Sequence, residues 1–316
     1  KKNTIIEIYK KLYLIRAVEE KIASKYNEGK MRCPVHLSIG QEAVPAALSQ
    51  IIDKNDFAVS THRGHAHYLA KGGNLNRMIA EIYGKKTGCS KGRGGSMHLL
   101  DLDVNFMGTS AIVGNSIPVG VGLGLSINLN NSDRLSCIFL GEGAVEEGVF
   151  YESINFTALK NLPVLFICEN NLYSVYSNLS VRQPKNRKIF EMVQSMGINS
   201  SSCDGNDPLA CYDLLNKKVK SIRNNEGPQF IEFYTYRWLE HCGPNYDNDL
   251  GYRKEDEFLA WKKKDPLLLI ETIINNASDV NNIKKIIDIK IEEAFKFAED
   301  SPFPDSTDAF DGVYAE

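Results

Sequence analysis

Two short apolar runs, joined by a stretch with helical character, constrain the fold of this chain more than any other feature. The first run, 135–140, stops at a Gly-Glu-Gly turn around Glu142, and the second, 164–168, is soon followed by Asn171. A strand, a crossover helix and a second strand form a parallel pair, so both runs should end at one edge of a sheet. The glycine turn offers backbone amides to a phosphate, and Glu142 and Asn171 offer the oxygen ligands that Mg²⁺ prefers. The pattern predicts a site for a magnesium-bound diphosphate.

The rest of the chain alternates between helical and strand patterns, which is typical of a parallel sheet covered by helices. Helices are predicted at residues 3–29, 42–52, 74–83, 115–130, 148–160, 185–196 and 209–222, and from Arg253 onward. Strands are predicted at 57–59, 135–140, 163–168 and 229–234, with ordered loops at 34–41, 61–67 and 84–95. We therefore expect an α/β fold, a mainly parallel sheet with helices on both faces, plus N-terminal and C-terminal helical extensions.

The length and composition predict a single domain. A chain of 316 residues with 43% apolar side chains can bury a full core, and no low-complexity linker or repeat divides it. We expect one diphosphate-binding domain over 1–316. Its parts are an N-terminal helical segment (about 1–55), a cofactor-binding core (about 56–240), and an active-site loop with C-terminal helices (about 241–316).

Charge and cysteine usage exclude several classes of function. The net charge is −3, from 37 basic and 40 acidic side chains, so neither nucleic acid nor a membrane is expected as a partner. The seven cysteines include no Cys-x-x-Cys pair, and the N-terminus has no signal-peptide pattern, which favours a reduced, cytoplasmic protein. Residues 111–129 approach the length of a membrane span but contain Pro118 and several glycines, which favours a buried helix.

Other phosphate and metal motifs do not fit. Gly84 begins a Gly-Lys-Lys-Thr sequence that lacks the upstream glycine and the Lys-Ser/Thr order of a P-loop, and no Gly-x-Gly-x-x-Gly follows a strand. No pair among the six histidines shows helical spacing beside a carboxylate, so the sequence predicts no zinc site. We expect structural roles for His67 and His98.

Several motifs, taken in order, resemble one enzyme family over nearly the whole chain. The motifs are His36–Glu42, His62–His65, Lys91–His98, Ala111–Gly114, Gly141–Phe150, Cys168–Tyr173, Thr235–Arg237 and His241. They resemble the alpha subunit of thiamine-diphosphate-dependent 2-oxo acid dehydrogenases. That family includes the decarboxylating components of the pyruvate, branched-chain 2-oxo acid and acetoin dehydrogenase complexes.

The resemblance implies a set of residues that bind the cofactor. Mg²⁺ would be held by the side chains of Glu142 and Asn171 and by the carbonyl of Tyr173. The thiamine diphosphate itself would contact His62, Arg63, Ala111, Val113, Gly141, Gly143, Ala144, Asn171, Tyr173 and His241. Within that set, Arg63 would pair with the diphosphate, and the backbone of Ala111–Val113 would meet the aminopyrimidine ring.

The resemblance also implies catalytic residues, together with departures from the family pattern. His65, His241 and His36 would stabilise charge on the substrate or on reaction intermediates. Glu142 stands where the family usually has Asp, and His62 where it commonly has Tyr. Cys242 replaces the first serine of the loop that is phosphorylated in mitochondrial relatives, so kinase control at that position is not expected.

Family membership would make this chain one half of an active site. The resemblance implies a separate beta subunit in an α2β2 assembly, a lipoyl-bearing acyltransferase as a further partner, and a small 2-oxo acid as substrate. The isolated chain should then be inactive. Two alternatives stay open, a carboligase that transfers a two-carbon unit to a carbohydrate aldehyde or ketone, and a catalytically silent structural subunit. The Gly120-x-Gly122-x-Gly124 stretch suits either internal packing or a subunit contact.

Overall fold

A parallel β-sheet forms the centre of the computed structural model, which describes residues 2–311 and residue 314. The strands are β1 (Phe57–Ser60), β2 (Phe106–Thr109), β3 (Ser136–Gly141), β4 (Val164–Asn170), β5 (Tyr173–Ser174), β6 (Ser177–Asn178), β7 (Asn199–Asp204) and β8 (Gln229–Tyr234). Six of them form one sheet in the order β2-β1-β3-β4-β8-β7, and every neighbouring pair is parallel. The other two, β5 and β6, form a small antiparallel hairpin. The parallel sheet predicted from the sequence is confirmed.

Helices surround the sheet and extend beyond it at both ends of the chain. They are α1 (Lys2–Tyr26), α2 (Ala43–Leu48), α3 (His65–Ala70), α4 (Leu75–Ile82), α5 (Ser116–Leu129), α6 (Gly148–Leu159), α7 (Leu179–Arg182), α8 (Ile189–Ser195), α9 (Pro208–Arg223), α10 (Glu255–Lys262), α11 (Pro266–Ile274) and α12 (Ala277–Asp300). Two of them begin at an Asp-Pro pair, in which Asp207 or Asp265 accepts a hydrogen bond from the first turn. Proline at the first helical position suits that start, because its missing N–H would have no partner there.

Alternating side chains of the central strands build two cores, one on each face of the sheet. Along β3, Cys137 and Phe139 join the core formed with α1, α2, α4, α9, α11 and α12. Ile138 and Leu140 point to the opposite face and join the core formed with α5, α6 and α8. Burial on both faces explains why this strand is a continuous apolar run in the sequence.

Two of the glycines of α5 face the sheet, and the third lies on the exposed side of the helix. A Cβ on Gly120 would overlap Ile138 and lie 2.8 Å from Val59, and a Cβ on Gly124 would lie 2.5 Å from Val164. A Cβ on Gly122 would meet nothing within 4 Å. Gly120 and Gly124 therefore serve internal packing, while Gly122 lies on the exposed side, where a subunit contact stays a prediction.

This division gives a matched pair of substitutions in one helix. Gly120→Ala should lower the free energy of unfolding by about 1–3 kcal/mol, because the added methyl overpacks the sheet. Gly122→Ala should raise it by about 0.5–1 kcal/mol, because alanine restricts the unfolded chain and favours the helix. Urea unfolding of both variants measures the difference, and equal effects would contradict the placement of Gly120 against the sheet.

The structure corrects three local predictions. The edge strands β2 and β7 have no counterpart in the predicted set, since neither is a long apolar run. The loop predicted at 61–67 ends earlier than expected, because α3 begins at His65. The helix predicted from residue 185 begins only at Ile189. No helix among the described residues is long and apolar enough to cross a membrane.

Candidate functional site

A cavity of about 190 Å³ lies at the carboxyl ends of the strands, beside the point where the strand order reverses between β1 and β3. Open α/β sheets bind their ligands at such switch points, because the loops after neighbouring strands diverge there. Twelve of the thirteen site residues predicted from the sequence line it. They are His36, His62, Arg63, Ala111, Val113, Gly141, Glu142, Gly143, Ala144, Asn171, Tyr173 and His241.

Glu142 places a buried carboxylate at the floor of this cavity. Its side chain follows β3 directly and is only 2% exposed. Arg182 donates to Glu142 Oε1 over 2.7 Å and also pairs with Glu146. Burial raises the pKa of the Glu142 carboxyl, although Arg182 acts in the opposite direction. A buried carboxylate of this kind is stabilised by a cation, and here the guanidinium of Arg182 supplies one.

Asn171 stands beside Glu142 at the end of β4, in a strained turn. Its Nδ2 donates to Gln41 Oε1 over 3.0 Å, and its Oδ1 accepts the Tyr173 N–H over 3.1 Å. Leu172 has a φ of 73° and Val175 a φ of 53°. Both lie in the left-handed region, which is strained for a residue branched at Cβ such as Val175. The Asn171 side chain is thus fixed from two sides, and its amide oxygen keeps a second lone pair for another ligand.

Arg63 and the glycine turn supply groups suited to an anion. The Arg63 guanidinium donates to the carbonyls of Leu37 over 2.6 Å and His241 over 3.2 Å. Burial, then Arg237, lowers the Arg63 pKa to about 10, so this group remains cationic at neutral pH. A Cβ on Gly143 would lie 2.9 Å from Ser174 Oγ, so glycine lets the turn pack closely against Ser174.

The donor set therefore fits a magnesium-bound diphosphate. It combines the buried Glu142 carboxylate, the oriented amide oxygen of Asn171, the buried Arg63 guanidinium and a glycine turn, all on one cavity, while the second buried carboxylate there, Glu169, pairs with His67. Hard divalent cations take oxygen ligands, and phosphates are bound by guanidinium groups and backbone amides.

Three histidines from separate loops meet on the wall of the cavity. The ring centres are 4.7 Å apart for His36 and His62, 5.1 Å for His36 and His241, and 5.3 Å for His62 and His241. Burial is the largest cause that lowers their pKa values, to about 2 for His36, about 4 for His62 and about 3 for His241. The Arg63 cation lowers all three further. All three rings are thus uncharged at neutral pH.

The first helix and the loop after β8 hold this wall in place. On α1, Arg16 forms a bidentate pair with Glu42, and Glu19 accepts the Ser38 N–H over 3.1 Å. The Trp238 N–H donates to the Ile39 carbonyl over 2.9 Å, which joins the loop before α2 to the loop after β8. These contacts bring His36 and His241 together although they are far apart in the sequence.

His65 is the one predicted site residue that does not line the cavity. It is fully buried, with Nδ1 3.1 Å from Glu19 and Nε2 2.8 Å from Ser96 Oγ. His67 is also buried, between Ser60 and Glu169, as expected of a structural residue. Both nitrogens of His65 are occupied, so this ring can orient its neighbours more readily than it can reach a substrate.

Two residues of the site carried no signal of their own in the sequence. Gln41 lies within the His36–Glu42 motif, yet nothing in its spacing indicates that it fixes Asn171. Arg182 is distant in sequence from Glu142 and belongs to no recognised motif. Only the folded chain shows that it neutralises the buried carboxylate.

The parallel sheet and the cavity at its switch point together define an α/β protein whose cavity has groups suited to a phosphate-containing ligand. A family model described as "Dehydrogenase E1 component" matches residues 10–307. The pyruvate dehydrogenase E1 component subunit alpha of Rickettsia felis is 36% identical over 99% of this chain and 96% of its own length. The subunit alpha of acetoin:2,6-dichlorophenolindophenol oxidoreductase of Bacillus subtilis is 35% identical, over 97% of this chain and 92% of its own. The chain belongs to the dehydrogenase E1 component family, and the predicted family resemblance is confirmed.

Proposed function

We propose that this chain is the alpha subunit of a thiamine-diphosphate- and Mg²⁺-dependent enzyme that decarboxylates a small 2-oxo acid and transfers the acyl unit. The observation that carries the proposal is the buried Glu142 carboxylate beside the Asn171 amide, at the floor of a cavity that also contains Arg63. Membership in the E1 family supports it. The domain would be a single diphosphate-binding unit over the whole chain.

Within this proposal, the chain binds the diphosphate end of the cofactor. Glu142, the Asn171 oxygen and the Tyr173 carbonyl would hold Mg²⁺, and the cation would take the place beside Glu142 that the Arg182 guanidinium occupies here. Arg63 would pair with phosphate oxygens, because its guanidinium stays charged at neutral pH. Gly141, Gly143 and Ala144 would approach the diphosphate through their backbone, and Ala111 and Val113 would contact the ring system.

Two of the histidines, His36 and His241, would act on the substrate. When bound, thiamine diphosphate supplies the nucleophilic carbon and the electron sink for decarboxylation. His36 and His241 line the cavity as neutral rings, so a ring N–H can donate to the substrate carboxylate without adding a net charge. His62 would contact the diphosphate, and His65 would position its neighbours through Glu19 and Ser96.

A partner subunit would complete the site. Ile112 is 69% exposed and Val113 47% exposed, and both lie on the rim of the cavity. Apolar side chains at a cavity mouth are typical of a surface that another protein covers. We propose that a beta subunit covers this rim and supplies the acid that thiamine chemistry requires, in an α2β2 assembly.

The isolated chain should show no 2-oxo acid decarboxylation with thiamine diphosphate and Mg²⁺, whereas addition of its beta subunit should restore activity. Release of CO₂ from labelled pyruvate and from branched-chain 2-oxo acids measures both conditions and the substrate range. Turnover by the chain alone would contradict the shared site. Absence of Mg²⁺-dependent cofactor binding in the assembled complex would instead favour a silent structural subunit.

The acyl acceptor is tested with the same complex. Transfer to a lipoyl domain of an acyltransferase would support the dehydrogenase proposal. Condensation with an aldehyde or ketose, without reduction of lipoamide, would identify a carboligase.

A further inference from the structure

Two cysteines meet at the edge of the sheet formed by β7, away from the cavity at the switch point. Cys203 lies near the end of β7, and Cys211 lies in α9. Both sulfurs are close to one oxygen, the Asp204 carbonyl, at 3.6 Å for Cys203 Sγ and 3.5 Å for Cys211 Sγ. The Cys211 thiol also forms a hydrogen bond with Cys203. Two thiols that share an acceptor and contact each other are placed to react as a pair.

The turn between the two cysteines is held by its own hydrogen bonds. Asp204 Oδ1 accepts the Asn206 N–H over 3.0 Å, and Asp207 Oδ1 accepts two backbone N–H groups in the first turn of α9, each over 3.0 Å. The Cys211 N–H donates to the Asp207 carbonyl over 2.9 Å. Helix capping of this kind fixes where α9 begins relative to β7. The contact between the thiols is therefore a property of the native fold.

The two thiols differ in access to solvent. Cys203 is partly exposed, whereas Cys211 is fully buried in the core between α9 and the sheet. A small reagent can thus reach Cys203 from solvent, and Cys211 is reached only through Cys203. This is the arrangement of an attacking thiol with a second thiol behind it.

The two thiols also differ in acidity. The hydrogen bond from Cys211 is the largest cause that lowers the pKa of the Cys203 thiol, although partial burial and the carboxylates of Asp204 and Asp207 raise it. Lys264 pairs with Asp204 over 2.9 Å and offsets one of those charges. All seven cysteines lie in the part of the chain that the structure describes, and the pKa values of the other six are raised. Because the thiolate is the reactive form, Cys203 is the cysteine best suited to attack an oxidant.

We propose that Cys203 and Cys211 form a redox site at which a hydroperoxide converts the two thiols into a reversible disulfide. The Cys203 thiolate attacks one peroxide oxygen, the O–O bond breaks, and the leaving oxygen takes a proton, so Cys203 becomes a sulfenic acid. The Cys211 sulfur then attacks the Cys203 sulfur, and its proton leaves with the hydroxyl group as water. The two thiols lose two electrons and two protons, and hydrogen peroxide is reduced to two molecules of water.

The fold can accept this bond and release it again. The Asp204 carbonyl loses two thiol donors but keeps the Asp207 N–H, which lies 3.4 Å away. The bond closes only the short segment 203–211, so it constrains the unfolded chain little and adds little stability. Both sulfurs are free thiols in the structure, and the partial exposure of Cys203 leaves the bond open to a reductant. Transient disulfides of this kind are the ones found in reducing compartments.

Peroxide treatment of the full chain, followed by mass spectrometry, tests the site. The chain should lose the mass of two hydrogen atoms, with the bond mapped to Cys203 and Cys211, and dithiothreitol should reverse the loss. Cys242→Ser removes an exposed thiol elsewhere and should form the same disulfide. Cys211→Ser should stop at a sulfenic acid on Cys203 that dimedone traps. Cys203→Ser should slow oxidation at position 211 by at least about tenfold, because Cys211 is buried and protonated.

The contrary results are equally specific. No loss of two hydrogen atoms, or a disulfide mapped to another pair of cysteines, would overturn the proposal. Equal oxidation of Cys211 with and without Cys203 would also overturn it, since the buried thiol would then react alone. If the substituted chains do not fold, peptide mapping of the oxidised wild-type chain, after alkylation of the remaining thiols, locates the bond without them. None of these measurements uses thiamine diphosphate, so the outcome is independent of the proposed function.

Discussion

Glu142→Gln should reduce the Mg²⁺-dependent affinity of the assembled enzyme for thiamine diphosphate by roughly 100-fold or more. The amide keeps the size of the side chain but removes the negative charge that a hard dication needs. The buried position increases the effect, because the 2% exposed carboxylate cannot be replaced by bulk water without rearrangement. Calorimetric titration of thiamine diphosphate at a series of Mg²⁺ concentrations measures it.

Glu146→Gln is the matched control for this change. Glu146 pairs with the same guanidinium of Arg182, but its side chain is 31% exposed and does not line the cavity. Its substitution should alter the affinity by no more than about threefold, as expected for a partly exposed ion pair. Glu142→Asp restores the usual family residue and should retain Mg²⁺ dependence. An unchanged Mg²⁺ dependence in Glu142→Gln would show that the metal is held elsewhere.

The sequence predicted the centre of the fold because burial on both faces leaves a strong pattern. The runs that became β3, β4 and β8 are mostly apolar, and each was placed within one or two residues. The edge strands β2 and β7 were missed, since an edge strand needs only partial burial. Residues 199–204 are Asn-Ser-Ser-Ser-Cys-Asp, and only Ser200 among them is buried.

The site was predictable where it depends on strand ends and not where it depends on distant loops. Glu142 and Asn171 follow adjacent strands, so topology alone places them together. The meeting of His36, His62 and His241 requires the order of strands and the contacts of α1. Pairing of Arg182 with Glu142 depends on the fold of the β5–β6 hairpin and α7, which no periodic pattern predicts.

The buried charge network under the His241 loop should be the most sensitive structural element of the site. Asp247 is 2% exposed and pairs with both Arg237 and Arg253, and it also accepts the Tyr252 hydroxyl. Arg253 further donates to the Arg237 carbonyl over 2.7 Å. The single carboxylate thus neutralises two buried guanidinium groups and closes the loop on which His241 lies.

Asp247→Asn should lower the free energy of unfolding by about 3–5 kcal/mol, because it leaves two buried cations with no anion between them. Limited proteolysis should detect cleavage within residues 241–251 before the rest of the chain, and cofactor-dependent activity should fall because His241 is no longer held. Asp249→Asn changes an exposed carboxylate in the same loop and should affect stability by less than about 0.5 kcal/mol. Equal stability of the two variants would show that the backbone carbonyls around Arg253 suffice to hold the loop. A loss of stability and activity in Asp247→Asn but not in Asp249→Asn would show that the position of His241 depends on this one buried charge.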